Sequence, residues 1–73
     1  MRIKMVQEPI VFVDIIEVGE HYTEKLITTK TNCCSMEDAQ KDARDAGYQV
    51  IDELCSVVPT MHEIRITVAV EPE

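Results

Sequence analysis

Three cysteines and two histidines are the residues of this chain whose types could support nucleophilic or metal chemistry: Cys33, Cys34, Cys55, His21 and His62. A catalytic cysteine needs a base within hydrogen-bond reach, and structural zinc favours C-x-x-C pairs over adjacent cysteines. The spacing indicates neither arrangement, so the sequence predicts no catalytic residue, no metal site and no cofactor. A small cysteine-dependent or metal-binding domain stays as an alternative, because Cys33 and Cys34 precede a predicted helix N-terminus, which lowers thiol pKa values.

Carboxylates are the other chemically active groups, with 14 acidic residues against 7 basic ones and a net charge of −7. Such a charge opposes direct nucleic-acid binding and favours a basic protein surface as partner. Five acids fall on one arc of a predicted helix and form a predicted partner-binding stripe: Asp38, Asp42, Asp45, Asp52 and Glu53. The alternative, a face that is acidic only because it is solvated, stays open.

A chain of 73 residues predicts one domain spanning residues 1–73, and its 45% hydrophobic content is typical of a globular protein. So small a domain has a marginal core, which favours self-association into a homodimer. The odd number of cysteines and the lack of a signal peptide at Met1 predict a cytoplasmic location. The apolar runs are too short to span a membrane.

The main predicted element is one long amphipathic helix over residues 35–58. Ser35 is a good N-cap residue, and Pro59 stops the helix. Gly47 lies within the apolar arc, where we expect it to allow close approach of the helix to a sheet.

Three strands are predicted around this helix, over residues 10–18, 21–31 and 61–71, from β-branched runs and alternating hydrophobicity. Residues 2–6 are either a further short strand or a lead-in. Gly19-Glu20 fits a two-residue hairpin turn, which places Asp14 opposite Lys25. The predicted fold class is therefore α+β, a two-layer β-β-α-β domain with the helix on a three-stranded antiparallel sheet of order 2-1-3.

The two faces of this sheet differ in charge. Burying the Asp14–Lys25 pair under the helix would carry a desolvation penalty, so we expect the helix to cover the other face. The covered face carries Val11, Val13, Ile15 and Leu26 from the hairpin, with Ile64, Ile66, Val68 and Val70. The open face, a predicted dimer or second contact surface, carries Ile10, Phe12, Ile16, Val18 and Ile27.

The order of elements, the small size and the acidic charge resemble those of small phage-encoded inhibitors of host enzymes, including anti-CRISPR proteins. This resemblance implies a non-enzymatic protein that binds and blocks a basic, nucleic-acid-handling host protein in the host cytoplasm. The segment from Cys34 through Ala43 also resembles the helix start of HicB-type antitoxins, with a cap followed by acids and alanines. The glycine- and proline-containing loop of those antitoxins and their DNA-binding segment have no counterpart in this sequence.

Overall fold

A computed structural model of the chain describes residues 10–31 and 35–72, which form four strands and one α-helix. The elements are β1 (Ile10–Val18), β2 (Glu24–Thr31), α1 (Met36–Asp45), β3 (Ser56–Pro59) and β4 (Glu63–Val70). The sheet has the order β2-β1-β4-β3 and is mixed, because β4 is parallel to β1 while the other neighbouring pairs are antiparallel. The α+β class is confirmed, and the three-stranded antiparallel sheet is wrong. Within the described residues, no helix is both long and apolar enough to cross a membrane.

The N-terminus of α1 forms where the sequence predicts it. The Ser35 side chain accepts a hydrogen bond from the backbone N–H of Asp38 at 3.2 Å, which satisfies one of the unpaired donors of the first turn. Glu37 and Asp38 lie in that first turn, where negative charge is favourable to the helix dipole.

The C-terminus of α1 lies far earlier than predicted, since the helix ends at Asp45 and not at Val58. Gly47 has a φ of +96°, a left-handed conformation that favours glycine. The N–H of Gly47 donates to the carbonyl of Arg44 (2.9 Å) and that of Tyr48 donates to the carbonyl of Ala43 (3.0 Å), the paired bonds of a Schellman cap. A Cβ at Gly47 would meet no atom within 4 Å, so close helix–sheet packing is not the reason for this glycine.

Beyond Gly47 the chain turns back and becomes the edge of the sheet. Val50 forms a bridge with Val70, and the N–H of Ile51 donates to the carbonyl of Ala69 at 2.8 Å. A single 3-10 turn at Asp52–Leu54 then loops out, and β3 resumes the antiparallel pairing with β4. β-branched residues in this stretch suit an extended edge better than a helix interior.

The additional edge segment, residues 49–59, reverses the direction of the last strand. A helix that ran to Val58 would deliver a final strand antiparallel to β1, whereas the return along residues 49–59 delivers β4 parallel to it. Val13 therefore pairs with Ile66 and Ile15 pairs with Val68 at the centre of the sheet.

The β1–β2 connection is wider than the predicted two-residue turn. It closes through a hydrogen bond from the N–H of Gly19 to the carbonyl of Thr23 (2.8 Å), with His21 and Tyr22 at positive φ. The longer loop shifts the register, so Asp14 pairs with Thr29 and not with Lys25.

The shifted register also exchanges the faces of two predicted residues of β2, and a β-bulge lies further along the strand. The register shifts between Ile15 and Ile16, which leaves Ile27 as the extra residue of β2. Ile27 consequently packs against the core on the helix side, and Leu26 lies opposite Ile16 on the open face. The predicted positions of Leu26 and Ile27 are therefore wrong.

The helix covers the face of the sheet that the sequence indicates. Ala39 and Ala43 of α1 are fully buried against it, and their small side chains allow the helix to approach closely. The sheet contributes a core of Val13, Ile15, Ile66, Val68 and Val70, with Val11 and Ile64 partly buried beside it.

We predict that Gly47→Ala destabilises the fold by about 1 kcal/mol, because a Cβ is strained at positive φ even where space is open. In a domain of this size that corresponds to a fall in Tm of roughly 4–8 °C, measured by circular dichroism. Gly47→Asn is the matched control and should lose less, since asparagine tolerates this conformation better. An alanine variant as stable as the wild type would contradict the assigned cap.

Candidate functional site

Among residues 10–31 and 35–72, no helix covers the face of the sheet on the side away from α1. Its residues follow from the strand registers. In rows across the sheet they are Leu26, Ile16 and Ala69, of which Ala69 is fully buried; Thr29, Asp14, Thr67 and Ser56; Thr31, Phe12, Arg65 and Val58; and Ile10 with Glu63. We call this set the open face.

A cluster of charged groups occupies its centre. Nη1 of Arg65 donates to Oδ2 of Asp14 at 2.6 Å, and Nε of Arg65 donates to Oε2 of Glu63 at 3.2 Å. The hydroxyl of Thr29 donates to the other oxygen of Asp14 at 2.8 Å. The guanidinium of Arg65 also lies over the ring of Phe12, 4.9 Å from its centroid, within cation–π range.

These contacts set the ionisation of the cluster. Burial raises the pKa of Asp14, whose side chain is only 14% exposed, but hydrogen bonds from Arg65 and Thr29 and the charge of Arg65 together lower it below its usual value. The hydrogen bond to Asp14 raises the pKa of Arg65, with Glu63 acting in the same direction and burial opposing it. Asp14 and Arg65 are therefore both ionised at neutral pH, and the hydrogen bond between them holds Arg65 in a fixed position.

Exposed aliphatic side chains surround the charged cluster. Ile10, Leu26 and Val58 are 57%, 58% and 56% exposed. Phe12 and Ile16 are half-buried beside them. An apolar ring around a fixed arginine has the composition of a protein interface, where arginine and aromatic residues are enriched.

The predicted contact residues of the sheet divide into two groups. Ile10, Phe12 and Ile16 do lie on the open face, while Val18 is buried and Ile27 packs toward the helix side. Leu26, Val58 and Arg65 also lie on this face and were not predicted there. Leu26 required the register set by the longer β1–β2 loop, Val58 required β3, and Arg65 required the parallel pairing of β4 with β1 that places it beside Asp14.

The predicted acidic stripe does not form a single helical row. Asp38, Asp42 and Asp45 are exposed on α1, but Asp52 and Glu53 lie in the 3-10 turn after the helix has ended. The break at Gly47 therefore removes the continuous rod.

A side-chain contact nevertheless keeps the two acidic segments adjacent. Nη2 of Arg44 donates to Oδ1 of Asp52 at 3.1 Å, joining the last turn of α1 to the 3-10 turn. The pair is exposed on both sides, so it positions the segments without adding much stability. We call Asp38, Asp42, Asp45, Asp52 and Glu53 the acidic patch.

The cysteine and histidine residues that the structure describes lie in separate parts of the fold. Cys55 is half-buried against the core, as predicted, and its Sγ donates to the carbonyl of Ile51 at 3.3 Å. His21 and His62 are exposed in separate loops. Cys33 and Cys34, like the predicted strand or lead-in at 2–6, lie outside the described residues. In residues 10–31 and 35–72, no group of three or more histidine, cysteine, aspartate or glutamate side chains is arranged to hold a metal ion.

A shallow depression of about 310 Å³ lies where β1 and β4 end, beside Tyr48. Glu17 and Glu71 line it together with Lys25. The mixed charge and the open shape give this depression no distinct ligand preference.

The chain matches no known protein family, no curated protein and no solved structure.

We predict that Asp14→Asn lowers the free energy of unfolding at neutral pH, because it removes the carboxylate that Arg65 and Thr29 bind. The native pKa of Asp14 is lowered, so its contribution is complete above the unfolded value of about 3.9 and is lost as pH falls through the native value. The stability difference between wild type and variant should thus shrink below about pH 4 in urea titrations. Asp45→Asn, at an exposed helix position, is the control and should lose no stability. A difference between wild type and Asp14→Asn that grows on acidification would contradict this assignment.

Proposed function

We propose that this chain is a non-enzymatic interaction protein that binds and blocks a basic, nucleic-acid-handling protein through the acidic patch. The observation that supports the proposal is the clustering of five exposed acids on α1 and the adjoining 3-10 turn, joined by the Arg44–Asp52 contact. The net charge of −7 adds a long-range field of the same sign.

The mechanism is competition for positive charge. A surface that binds nucleic acid presents lysine and arginine side chains to phosphates, and carboxylates fixed on a helix engage the same side chains. Asp38 and Asp45 are separated by two helical turns, roughly 10 Å, so one face contacts several basic residues at once. Electrostatic steering then accelerates association and makes the binding sensitive to salt.

The anti-CRISPR-like identity, acting in a phage-infected host cytoplasm, is the finer part of this proposal. Small size and acidic charge support it. The order of elements no longer does, because the predicted β-β-α-β order is replaced by β-β-α-β-β with a parallel central pair.

A HicB-like antitoxin module is the second candidate. The feature that supports it is the capped helix start, Ser35 followed by Glu37 and Asp38 in the first turn. The two candidates differ in their partners, because an inhibitor blocks a large nucleic-acid-handling protein whereas an antitoxin binds a small basic toxin.

We predict that the tagged chain captures a basic nucleic-acid-handling protein and that raising salt from about 50 to 300 mM weakens the complex. Asp45→Lys combined with Glu53→Lys should weaken binding about tenfold, since each reversal replaces an attraction with a repulsion. The affinity is measured by calorimetry with the captured protein.

Glu24→Lys combined with Glu20→Lys is the matched control, because it changes the charge equally at exposed positions in and beside the β1–β2 loop. Equal weakening by both double variants would indicate only a net-charge effect and would remove the acidic patch as the contact. Capture of a small basic toxin would favour the antitoxin candidate.

A further inference from the structure

We propose that residues 52–59, which comprise the 3-10 turn and β3, open from β4 as one unit while the rest of the domain stays folded. We call this segment the strap. Its starting observation is burial, because every residue of the strap is exposed except Cys55, which is half-buried. The opening follows from the fold alone and does not depend on the proposed function.

Both ends of the strap are fixed to the sheet. Before it, the N–H of Ile51 donates to the carbonyl of Ala69 at 2.8 Å. After it, the N–H of Thr60 donates to the carbonyl of Glu63 at 2.7 Å, and the Thr60 hydroxyl accepts from the N–H of Glu63 at 3.0 Å. These bonds set the limits of the opening, because the chain on either side of the strap remains paired when the strap leaves β4.

Few side-chain interactions hold the strap between its two ends. Val57 and Val58 are 46% and 56% exposed, so closing the strap removes little apolar surface from water. The Arg44–Asp52 ion pair is exposed on both sides and adds little stability. Among the strap residues, Cys55 packs against the core. Segments with few buried apolar contacts open at a lower free energy than the core does.

The backbone groups of β4 alternate between its two neighbouring strands, because successive residues of a strand point their N–H and C=O toward opposite edges. The carbonyl of Ala69 accepts a hydrogen bond from the edge segment that precedes the strap. Arg65 and Thr67 are two and four residues away from Ala69, so their backbone groups face the strap as well. Ile66 and Val68 lie between these positions, and their backbone groups face β1.

This alternation leaves β3 with two hydrogen-bonding pairs. Ser56 pairs with Thr67 and Val58 pairs with Arg65. The backbone of Pro59 points away from β4, at an edge position where proline loses no ladder hydrogen bond. β4 pairs with β1, in contrast, over its full length of eight residues. The strap is therefore the part of the sheet that opens first.

Opening of the strap would divide the acidic patch. Asp52 and Glu53 belong to the strap, whereas the other three acids of the patch lie on α1. The two groups are adjacent only while the strap is closed and Arg44 binds Asp52. Strap opening would thus regulate binding through the patch, and this consequence rests on the proposed function.

We predict that hydrogen exchange of the full chain, followed by NMR, separates alternate amides of β4. Relative to their intrinsic rates, the amides of Arg65 and Thr67 should exchange about 100-fold faster than those of Ile66 and Val68. The reason is that strap opening releases the first two, whereas only unfolding of the domain releases the other two. Equal protection of all four amides would overturn the proposal.

A pair of proline variants in β3 tests the same opening. Ser56→Pro removes the exposed N–H that faces Thr67, so it should accelerate exchange of Arg65 and Thr67 about tenfold further and leave the amides that face β1 within about twofold. Val57→Pro is the matched control and should accelerate exchange less, because the N–H of Val57 points away from β4. Equal effects of the two variants would overturn the proposal, as would acceleration of every β4 amide by Ser56→Pro.

The consequence for the acidic patch is measured with the basic protein that the tagged chain captures. Ser56→Pro should weaken that binding as much as Asp52→Asn combined with Glu53→Gln does, and it should add nothing to the double variant. Binding that Ser56→Pro leaves unchanged would overturn the regulation. If no basic protein is captured, the proposed function fails, while the exchange rates of the β4 amides still decide whether the strap opens.

Discussion

The left-handed conformation of Gly47 is the constraint on which the rest of the structure depends. It ends α1 after ten residues and directs the chain back along the edge of the sheet. The segment that runs back along the edge contains β3. Because of this segment, β4 runs parallel to β1. A continuous helix over the same residues would give a sheet with one strand fewer and the opposite strand polarity.

The second constraint is electrostatic and decides which face of the sheet is covered. Arg65 and Asp14 are joined across the parallel pair, and moving both under an apolar helix would remove most of their hydration. The helix instead packs on the face where β1 and β4 present only aliphatic side chains at the centre. As a result, one side of the molecule presents carboxylates and the other presents aliphatic groups around a fixed arginine.

Much of the local structure was predictable from the sequence. Neighbouring residues determine the β-branched run of β1, the alternation of β4 and the Ser35 cap. The face covered by α1 follows from the desolvation penalty of an ion pair, which applies to any charged partner of Asp14. The predicted partner of Asp14, Lys25, was wrong, because Arg65 binds this carboxylate. The face that carries Asp14 is nevertheless the one that α1 does not cover.

Non-local choices were not predictable in the same way. Residues 48–58 have a helical hydrophobic period and a β-branched composition at once, so the positive φ of Gly47 decides between the two, and a glycine does not reveal its φ in the sequence. The register of β2 is set by the longer β1–β2 loop together with the bulge at Ile27, and neither has a distinct signal in the sequence. The arrangement of the acidic patch was not predictable for the same reason, because Asp52 and Glu53 belong to the segment that follows the end of the helix.

Strand polarity at the centre of the sheet is the most direct test of this account. Solution NMR of the full chain measures through-space contacts between methyl groups together with backbone chemical shifts. The account predicts contacts of Val13 with Ile66 and of Ile15 with Val68, and extended shifts for residues 49–51 and 56–59. Contacts in the reverse order, Val13 with Val68 and Ile15 with Ile66, together with helical shifts continuing from Gly47 to Val58, would contradict it.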